Sequence, residues 1–495
     1  MKIPFEFFGI LFLFAICFGL IKMDQIGRDA MLRVHRTDDA KLGVPTNSDS
    51  TVTITMSFIG DLMCHVPQIN NAKKADGSYD FDPSFKEITP FLSASDFTMG
   101  NLECTFAGSG KPYQGYPAFN APDAYLAAIK KSGIDFVGTA NNHSMDTGEE
   151  GLLRTVKKVR ENGLQSTGTF LTQHDRDSIR IIDIKGVKVA ILNYTYGTNG
   201  AYPDSSHKYM LNVADSALVH DDVLRARATT ADIVLVFYHW GIENKQEPVA
   251  KQDSMFHWAA DAGADLVIGA HPHVLEPLSY FKTTANAKLD TGIVAWSLGN
   301  FLSNQYWRYT DAGVILTLSL KKNFTTGKIS LEQTRYLPTM VNRSNDNSIQ
   351  QHVVIPAQWC ELDSLPAWIN VGYQTKLCEG YSDTKTMMTK NSSKPSLQVL
   401  SNMQTAPSSS ACDHHAINDP PIDLRSTGNN TVYLKFIIAP SGKVIHSGVW
   451  DERIVTNDST LNIRARDYAK ALQFNETPGC KDTIEKIVQL DFIAR

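Results

Sequence analysis

The segment Ala264-Asp265-Leu266-Val267-Ile268 runs into Gly269-Ala270-His271-Pro272-His273, so a buried-looking strand stops at two imidazoles one residue apart. The same kind of ending recurs. It is seen in Phe58-Ile59-Gly60-Asp61, Phe97-Thr98-Met99-Gly100-Asn101-Leu102-Glu103, Phe136-Val137-Gly138-Thr139-Ala140-Asn141-Asn142-His143 and Val234-Leu235-Val236-Phe237-Tyr238-His239-Trp240. Short apolar runs read as buried strands, and strand tips along one edge of an open α/β sheet form a ligand crevice. Asp, Asn, Glu and His converging on such an edge suit one or two divalent metal ions.

The connecting segments support that sheet. Val52, Ile54, Met56 and Phe58 alternate with polar residues before Gly60-Asp61. Residues 123–131 read as a helix with Asp123 as its N-cap, and 149–162 as an amphipathic helix ended by Gly163. Further strands are predicted at 187–194, 233–238, 266–268 and 293–297, with helices at 220–230 and 252–262. Residues 313–320 and 329–337 read as an antiparallel hairpin. This rhythm predicts an α/β sandwich of mixed sheets across 51–356. Residues 357–428 then read as a loop-rich linker, with Ser, Thr, Asn and Pro dominating from 380. A small C-terminal α+β domain is predicted over 429–495: strands at 432–438 and 444–449 around Pro440-Ser441-Gly442-Lys443, a helix at 464–472 and a strand at 484–492.

The chain opens with a run of apolar and small residues from Phe7 to Ile21, preceded by Lys2 and Glu6. Residues 1–21 are therefore a membrane anchor or a signal segment. No small-x-small cleavage site follows, which favours the anchor, and the polar stretch 22–50 then reads as a stalk. Lys22, Arg28, Arg33 and Arg36 oppose export under the positive-inside rule, while the short N-terminus favours it. The expectation is a single-pass or signal-anchored protein of the cell membrane with its domain on the extracytoplasmic side. The net charge of −5 and the absence of a basic stripe argue against nucleic acid as a partner. Cys64, Cys104, Cys360, Cys378, Cys412 and Cys480 form no C-x-x-C zinc pattern. The last four could form two disulfides in an oxidising compartment, and free buried thiols are the plainer reading for Cys64 and Cys104.

Taken singly, each polar tip has an ordinary explanation. Asp61 after a glycine could cap a turn, and Asn101 and Glu103, on one face if their strand continues, could be caps as well. The Asn142 amide oxygen can ligate a metal, and His143 with Asp146 fits an imidazole oriented by a carboxylate, or a structural hydrogen bond. His239, His271 and His273 complete the set, and repetition at several strand ends favours one metal site over scattered caps. Asn300, in Ser297-Leu298-Gly299-Asn300-Phe301, is a candidate substrate contact or a turn residue. No G-x-S-x-G elbow, HExxH or P-loop competes.

These residues resemble a known family. Gly60-Asp61-Leu62-Met63, Asn101-Leu102-Glu103, Ala140-Asn141-Asn142-His143-Ser144-Met145-Asp146-Thr147-Gly148, Tyr194-Thr195-Tyr196-Gly197-Thr198-Asn199-Gly200, His239-Trp240-Gly241, Gly269-Ala270-His271-Pro272-His273-Val274 and Ser297-Leu298-Gly299-Asn300-Phe301 are similar, in order, to the motifs of the CapA family of poly-γ-glutamate capsule synthesis proteins. That family is related in fold to calcineurin-like metallophosphoesterases. The resemblance implies a four-layer, metallophosphoesterase-like α/β sandwich, membrane anchoring, and a role in making or handling an anionic surface polymer. It implies Asp61, Glu103, Asn142, His239, His271 and His273 as metal ligands for one or two Mn, Fe or Zn ions. His143 would be the proton donor, with Asp146 orienting its ring; Asn101 and Asn300, from their own places at strand ends, are the candidate substrate contacts. Met63 stands where metallophosphoesterases carry a ligand histidine, and Glu103 near their bridging aspartate. The C-terminal unit weakly resembles the C-terminal domain of TonB-type energy transducers, which implies envelope protein partners. Three functions are open: a metal-dependent hydrolase or transferase on a phosphoester or polyamide, a non-catalytic scaffold or polymer-binding subunit, and an envelope phosphatase.

Overall fold

The computed structural model describes residues 51–343, 345–346, 349–350, 352–362, 365–366, 368–370, 372–390, 397–399, 425–426, 430–438, 444–449 and 484–494. The segment expected to anchor the chain, 1–21, and the stalk expected over 22–50 lie outside the described residues. No helix among the described residues is long and apolar enough to cross a membrane.

Two sheets form the body. The first is built on β1 (Thr51–Leu62), β2 (Phe97–Leu102), β3 (Phe136–Gly138) and β4 (Gln165–Thr167), all parallel. The second contains β5 (Arg180–Ile184), β6 (Val187–Thr195), β7 (Ile233–His239), β8 (Leu266–Ala270), β9 (Leu275–Lys282) and β10 (Thr291–Leu298), in the order β5-β6-β7-β8-β10-β9 with antiparallel edges. Short β11 (Asn300–Leu302) returns to the first sheet beside the end of β1. There β12 (Ala312–Asn323) and β13 (Ile329–Asn342) extend the sheet as a long hairpin, edged by Val353–Pro356.

Side-chain alternation shows how the sheets stack. On β7, Val234, Val236 and Tyr238 join a buried cluster with Val219, Val223, Met255 and Ala259 from the helices Ser216–Arg227 and Ala250–Ala260. Ile233, Leu235 and Phe237, fully buried as well, point the other way. On β1, Ile59 and Leu62 join a cluster with Leu126 and Ile129 of the helix Ala124–Lys131, and Met56 and Phe58 take the opposite face. The sheets are stitched between these inner faces: Asn193 of β6 accepts from the Ala140 amide beyond β3 at 2.8 Å, and Lys322 of β12 reaches Asp232 at 2.6 Å. The result is a four-layer α/β sandwich.

A local irregularity turns β1 toward the inner layer. β1 advances from Phe58 to Asp61 while β2 advances only from Met99 to Asn101. The extra residue is a β-bulge, which reverses the side-chain alternation beyond it. Asp61 therefore shares the face of Phe58 instead of pointing into the apolar layer with Ile59. Glycine permits this: a Cβ on Gly60 would lie 1.8 Å from the Gly299 carbonyl oxygen, the same oxygen that accepts from the Asp61 amide at 3.0 Å.

Several expectations are refined. Asp123 stands at its helix N-terminus, but its side chain makes no cap; Arg154 takes both carboxylate oxygens, at 2.8 and 2.7 Å. A charge-assisted bidentate pair is stronger than a cap bond. The segment read as a linker contains the helix Tyr373–Thr389, and Leu377 and Tyr381 pack with Trp359, Ile369, Met340 and Val353. Cys64, Cys104, Cys360 and Cys378 are free thiols, with the Cys378 thiol 3.4 Å from the Cys360 carbonyl; Cys412 and Cys480 lie outside the described residues. Toward the C-terminus Asn430–Ile438 pairs antiparallel with both Val444–Val449 and Ile484–Ala494. The helix expected at 464–472 lies outside the described residues.

Gly60→Ala should cost at least the ~1–3 kcal/mol typical of overpacking, because its Cβ would meet backbone, and should lower the midpoint of thermal unfolding by several degrees. An unchanged midpoint by calorimetry would remove the bulge from the account.

Candidate metal centre

The strand tips meet where the two inner faces converge. Asp61 closes β1, Asn101 and Glu103 close β2, Asn142 and His143 follow β3, His239 ends β7, and His271 and His273 follow β8. Asp61, Asn101, Glu103 and His239 are fully buried, and His271 and His273 are 2% exposed. The parity of β7 carries His239 to the same face as Leu235 and Phe237, and the parity of β2 carries Asn101 to that of Met99.

Asn101 holds the first sheet's ligands to the second. Its amide nitrogen lies 2.8 Å from Asp61 Oδ1, 3.4 Å from Glu103 Oε2 and 3.1 Å from His239 Nδ1. Asp61 Oδ2 faces His273 Nδ1 at 3.0 Å. His239 Nε2 is 2.8 Å from Asn142 Oδ1. Asn101, expected to touch substrate, directs its amide nitrogen to Asp61, Glu103 and His239.

Two buried atoms of the carboxylate–imidazole cluster are left over. Glu103 Oε1 and His271 Nδ1 have no hydrogen-bond partner among the described residues. His239 Nε2, at 3.6 Å, and His273 Nε2, at 3.8 Å, stand near Glu103 Oε1 but beyond hydrogen-bond reach. Ligand atoms of Glu103, His239 and His271, and likewise of Asp61, Glu103 and His273, lie within 4.8 Å of one another. Burial, and then the neighbouring Asp61 charge, raise the Glu103 carboxyl well above its usual range. Burial and the other imidazoles hold His239 well below its ordinary value and His271 down to about 3. Crowded like charges, orphaned donor atoms and a mixed nitrogen–oxygen set fit a bound divalent cation.

His143 sits beside this cluster. Its Nδ1 is 2.7 Å from Asp146 Oδ2, and the same oxygen accepts from the Phe119 amide at 2.6 Å. Phe119 packs edge-on to the imidazole with ring centres 4.7 Å apart. With Nδ1 committed to Asp146, Nε2 faces the Asn199 amide nitrogen at 3.5 Å. Asn300 is in register with Asp61; its amide nitrogen donates to Gln305 and to the Thr310 carbonyl, while its buried Oδ1 has no hydrogen-bond partner among the described residues. Met63 is 1% exposed and packs in the apolar cluster on the outer side of β1.

Three contributors escape a reading by strand tips. Tyr196 covers His271, with ring centres 4.7 Å apart. Asn199 bonds to Asn142 through side chain and backbone, at 3.2 and 3.1 Å. Glu243 has a carboxylate oxygen within 4.8 Å of ring nitrogens of His271 and His273. All three lie in loops after β6 and β7, where no periodicity signals direction; Tyr196 and Asn199 fall inside the Tyr194–Gly200 motif, and Glu243 follows His239-Trp240-Gly241.

Fold and site together describe a two-sheet sandwich with a buried histidine–carboxylate centre on one edge. The chain belongs to the bacterial capsule synthesis protein PGA_cap family, whose model matches residues 55–305. It is 30% identical to the capsule biosynthesis protein CapA of Bacillus anthracis over 302 residues, covering 59% of this chain and 69% of that one. It is 29% identical to the PGA biosynthesis protein CapA of Bacillus subtilis over 287 residues, covering 57% and 71%. Among solved structures, it is similar to a calcineurin-like phosphoesterase of B. subtilis (13% identity, TM-score 0.35, 68% of this chain and 98% of that one). It is also similar to a phosphatase of Mycoplasma pneumoniae (11% identity, TM-score 0.36, 59% and 94%).

The backbone at the centre is strained: His271 has φ 100° and His273 φ 59°. Such conformations cost on the order of 1–3 kcal/mol for residues with a Cβ, and glycine relieves that cost. His271→Gly should therefore be about 1 kcal/mol more stable than His271→Ala in denaturant titrations; equal stabilities would show that the turn stores no strain.

The depressed value of His271 also sets a pH slope. The folded imidazole stays neutral down to about 3 while the unfolded one charges near 6.5, so its contribution is full above 6.5 and is lost as pH falls toward 3. Glu103, raised above 4.5, has the opposite sign and loses its contribution as pH rises. In chelator, the loss of stability between pH 6.5 and 3 should be shallower in His271→Gln than in wild type, and identical slopes would contradict the assignment.

Proposed function

We propose that this protein acts in the synthesis or handling of an anionic surface polymer of the poly-γ-glutamate kind, by metal-dependent hydrolysis or transfer. The observation that supports it most is the pair of buried, unpartnered ligand atoms, Glu103 Oε1 and His271 Nδ1, inside one nitrogen–oxygen cluster. The two Bacillus relatives are named for capsule and PGA biosynthesis, which supports the polymer class. Asp61, Glu103, Asn142, His239, His271 and His273 would hold one or two ions of Mn²⁺, Fe²⁺ or Zn²⁺. When bound, such an ion polarises a scissile phosphoryl or amide group and makes water acidic near neutral pH. His143 then holds or delivers a proton at Nε2, with Asp146 fixing the ring. Asn101 keeps Asp61, Glu103 and His239 in position, and Tyr196 shields His271 from water. The segment 1–21 would anchor the chain so that this domain acts outside the cytoplasmic membrane, with the C-terminal unit available to envelope partners.

A second reading, a non-catalytic polymer-binding scaffold, is favoured by Met63. Its place in an apolar cluster leaves the ligand set one imidazole short of the metallophosphoesterase pattern. Full-length protein supplied with Mn²⁺ or Zn²⁺ and assayed on phosphoesters and γ-glutamyl polymers separates the two. Turnover should vanish in His271→Ala and fall about 10²–10⁴-fold in His143→Ala. Polymer binding with no turnover on any substrate would favour the scaffold.

A further inference from the structure

The loop after β7 presents a carboxylate outside the ligand set named above. Gly241 turns there at φ 93°, and a Cβ on it would meet the Gln252 side chain at 2.9 Å. Gln252 is itself buried and fixed, accepting from the Val249 amide at 2.9 Å and donating to Glu276 at 2.6 Å. Two residues past the intervening Ile242, the Asn244 amide donates to the carbonyl of Pro272, the residue between the two histidines, at 2.7 Å. The loop is thus pinned on both sides of Glu243, against Gln252 and against the histidine turn. This holds the carboxylate within 4.8 Å of ring nitrogens of His271 and His273. Glu243 is exposed, whereas both histidines are buried. His271, a member of this same group, carries an unpartnered buried Nδ1.

We propose that Glu243 is a cation ligand: with His271 and His273 it closes the metal centre on its solvent side. This rests on the reading of that centre as a metal site. Two imidazoles and a carboxylate suit Mn²⁺, Fe²⁺ or Zn²⁺. The donor that Met63 does not supply on β1 is replaced by one from a different element, approaching from the open side. An ion held by an exposed carboxylate is the one that solvent and an anionic substrate meet first, so it is also the one that exchanges.

The test is metal binding by the full chain, not turnover. Protein stripped with chelator is titrated with Mn²⁺ by calorimetry and by equilibrium dialysis with elemental analysis. Wild type is compared with Glu243→Gln, with Glu247→Gln as the neighbouring exposed control, and with His239→Ala. Glu243→Gln should lose one equivalent, or bind its weakest ion more weakly by at least the roughly tenfold that losing even an outer partner costs. Its metal-free thermal midpoint should match wild type, and Glu247→Gln should bind as wild type does. Equal stoichiometry and affinity in Glu243→Gln and wild type, with binding lost in His239→Ala, would overturn this inference and leave the metal centre standing. A wild type that binds no Mn²⁺ or Zn²⁺ would overturn both.

Discussion

Two carboxylates, Asp61 and Glu103, are held out of water within one cluster of imidazoles. Burying an ion costs several kcal/mol even after relaxation, and an opposite charge in good geometry offsets that cost. Two of the neighbouring imidazoles, His239 and His271, are kept neutral by burial in the metal-free protein. Without a cation the cluster resolves its charge by raising Glu103 toward its protonated form. A divalent cation would offset the buried charge by taking the acids and the neutral imidazoles as ligands. Most of the site's other features follow from the need to place those groups together.

The placement depends on departures from regular structure. The bulge before Asp61 turns its side chain inward, and Gly60 lets the Gly299 carbonyl come close enough to receive the Asp61 amide. The Gly269–His273 stretch adopts positive φ at both histidines, which the sandwich must hold against their preference. Asn101 reaches ligands from both sheets with a single amide. The inner apolar layer of Phe58, Met99, Leu235 and Phe237 keeps the strands in the register that makes those contacts possible.

Much of this was legible in the chain because strands bury alternate residues. The apolar runs at 233–238 and 266–268 mark strands, and their polar endings mark the edge that binds. Asn101 and Glu103 were readable as one face for the same reason. The face of Asp61 was not, since a bulge is a one-residue change in pairing with a partner strand that the local sequence does not name. Tyr196 stood inside the Tyr194–Gly200 motif but with no direction, and Glu243 lay outside every motif, because in loops direction is set by tertiary contacts such as the Asn244–Pro272 hydrogen bond. The helix Tyr373–Thr389 was hidden by its polar, Thr-containing surface; what defines it is packing of Leu377 and Tyr381 on a distant hairpin. Asp123 shows the same override, its cap role yielding to Arg154.

The chain belongs to the bacterial capsule synthesis protein PGA_cap family, and the proposed metal centre stands or falls on the cation. The most direct measurement is diffraction from crystals grown with Mn²⁺, recorded on both sides of the manganese absorption edge. The account predicts an anomalous peak within bonding distance of Glu103 Oε1 and the His239 and His271 rings. An ordered cluster with no anomalous peak, its Glu103 and His271 atoms satisfied by water alone, would contradict it.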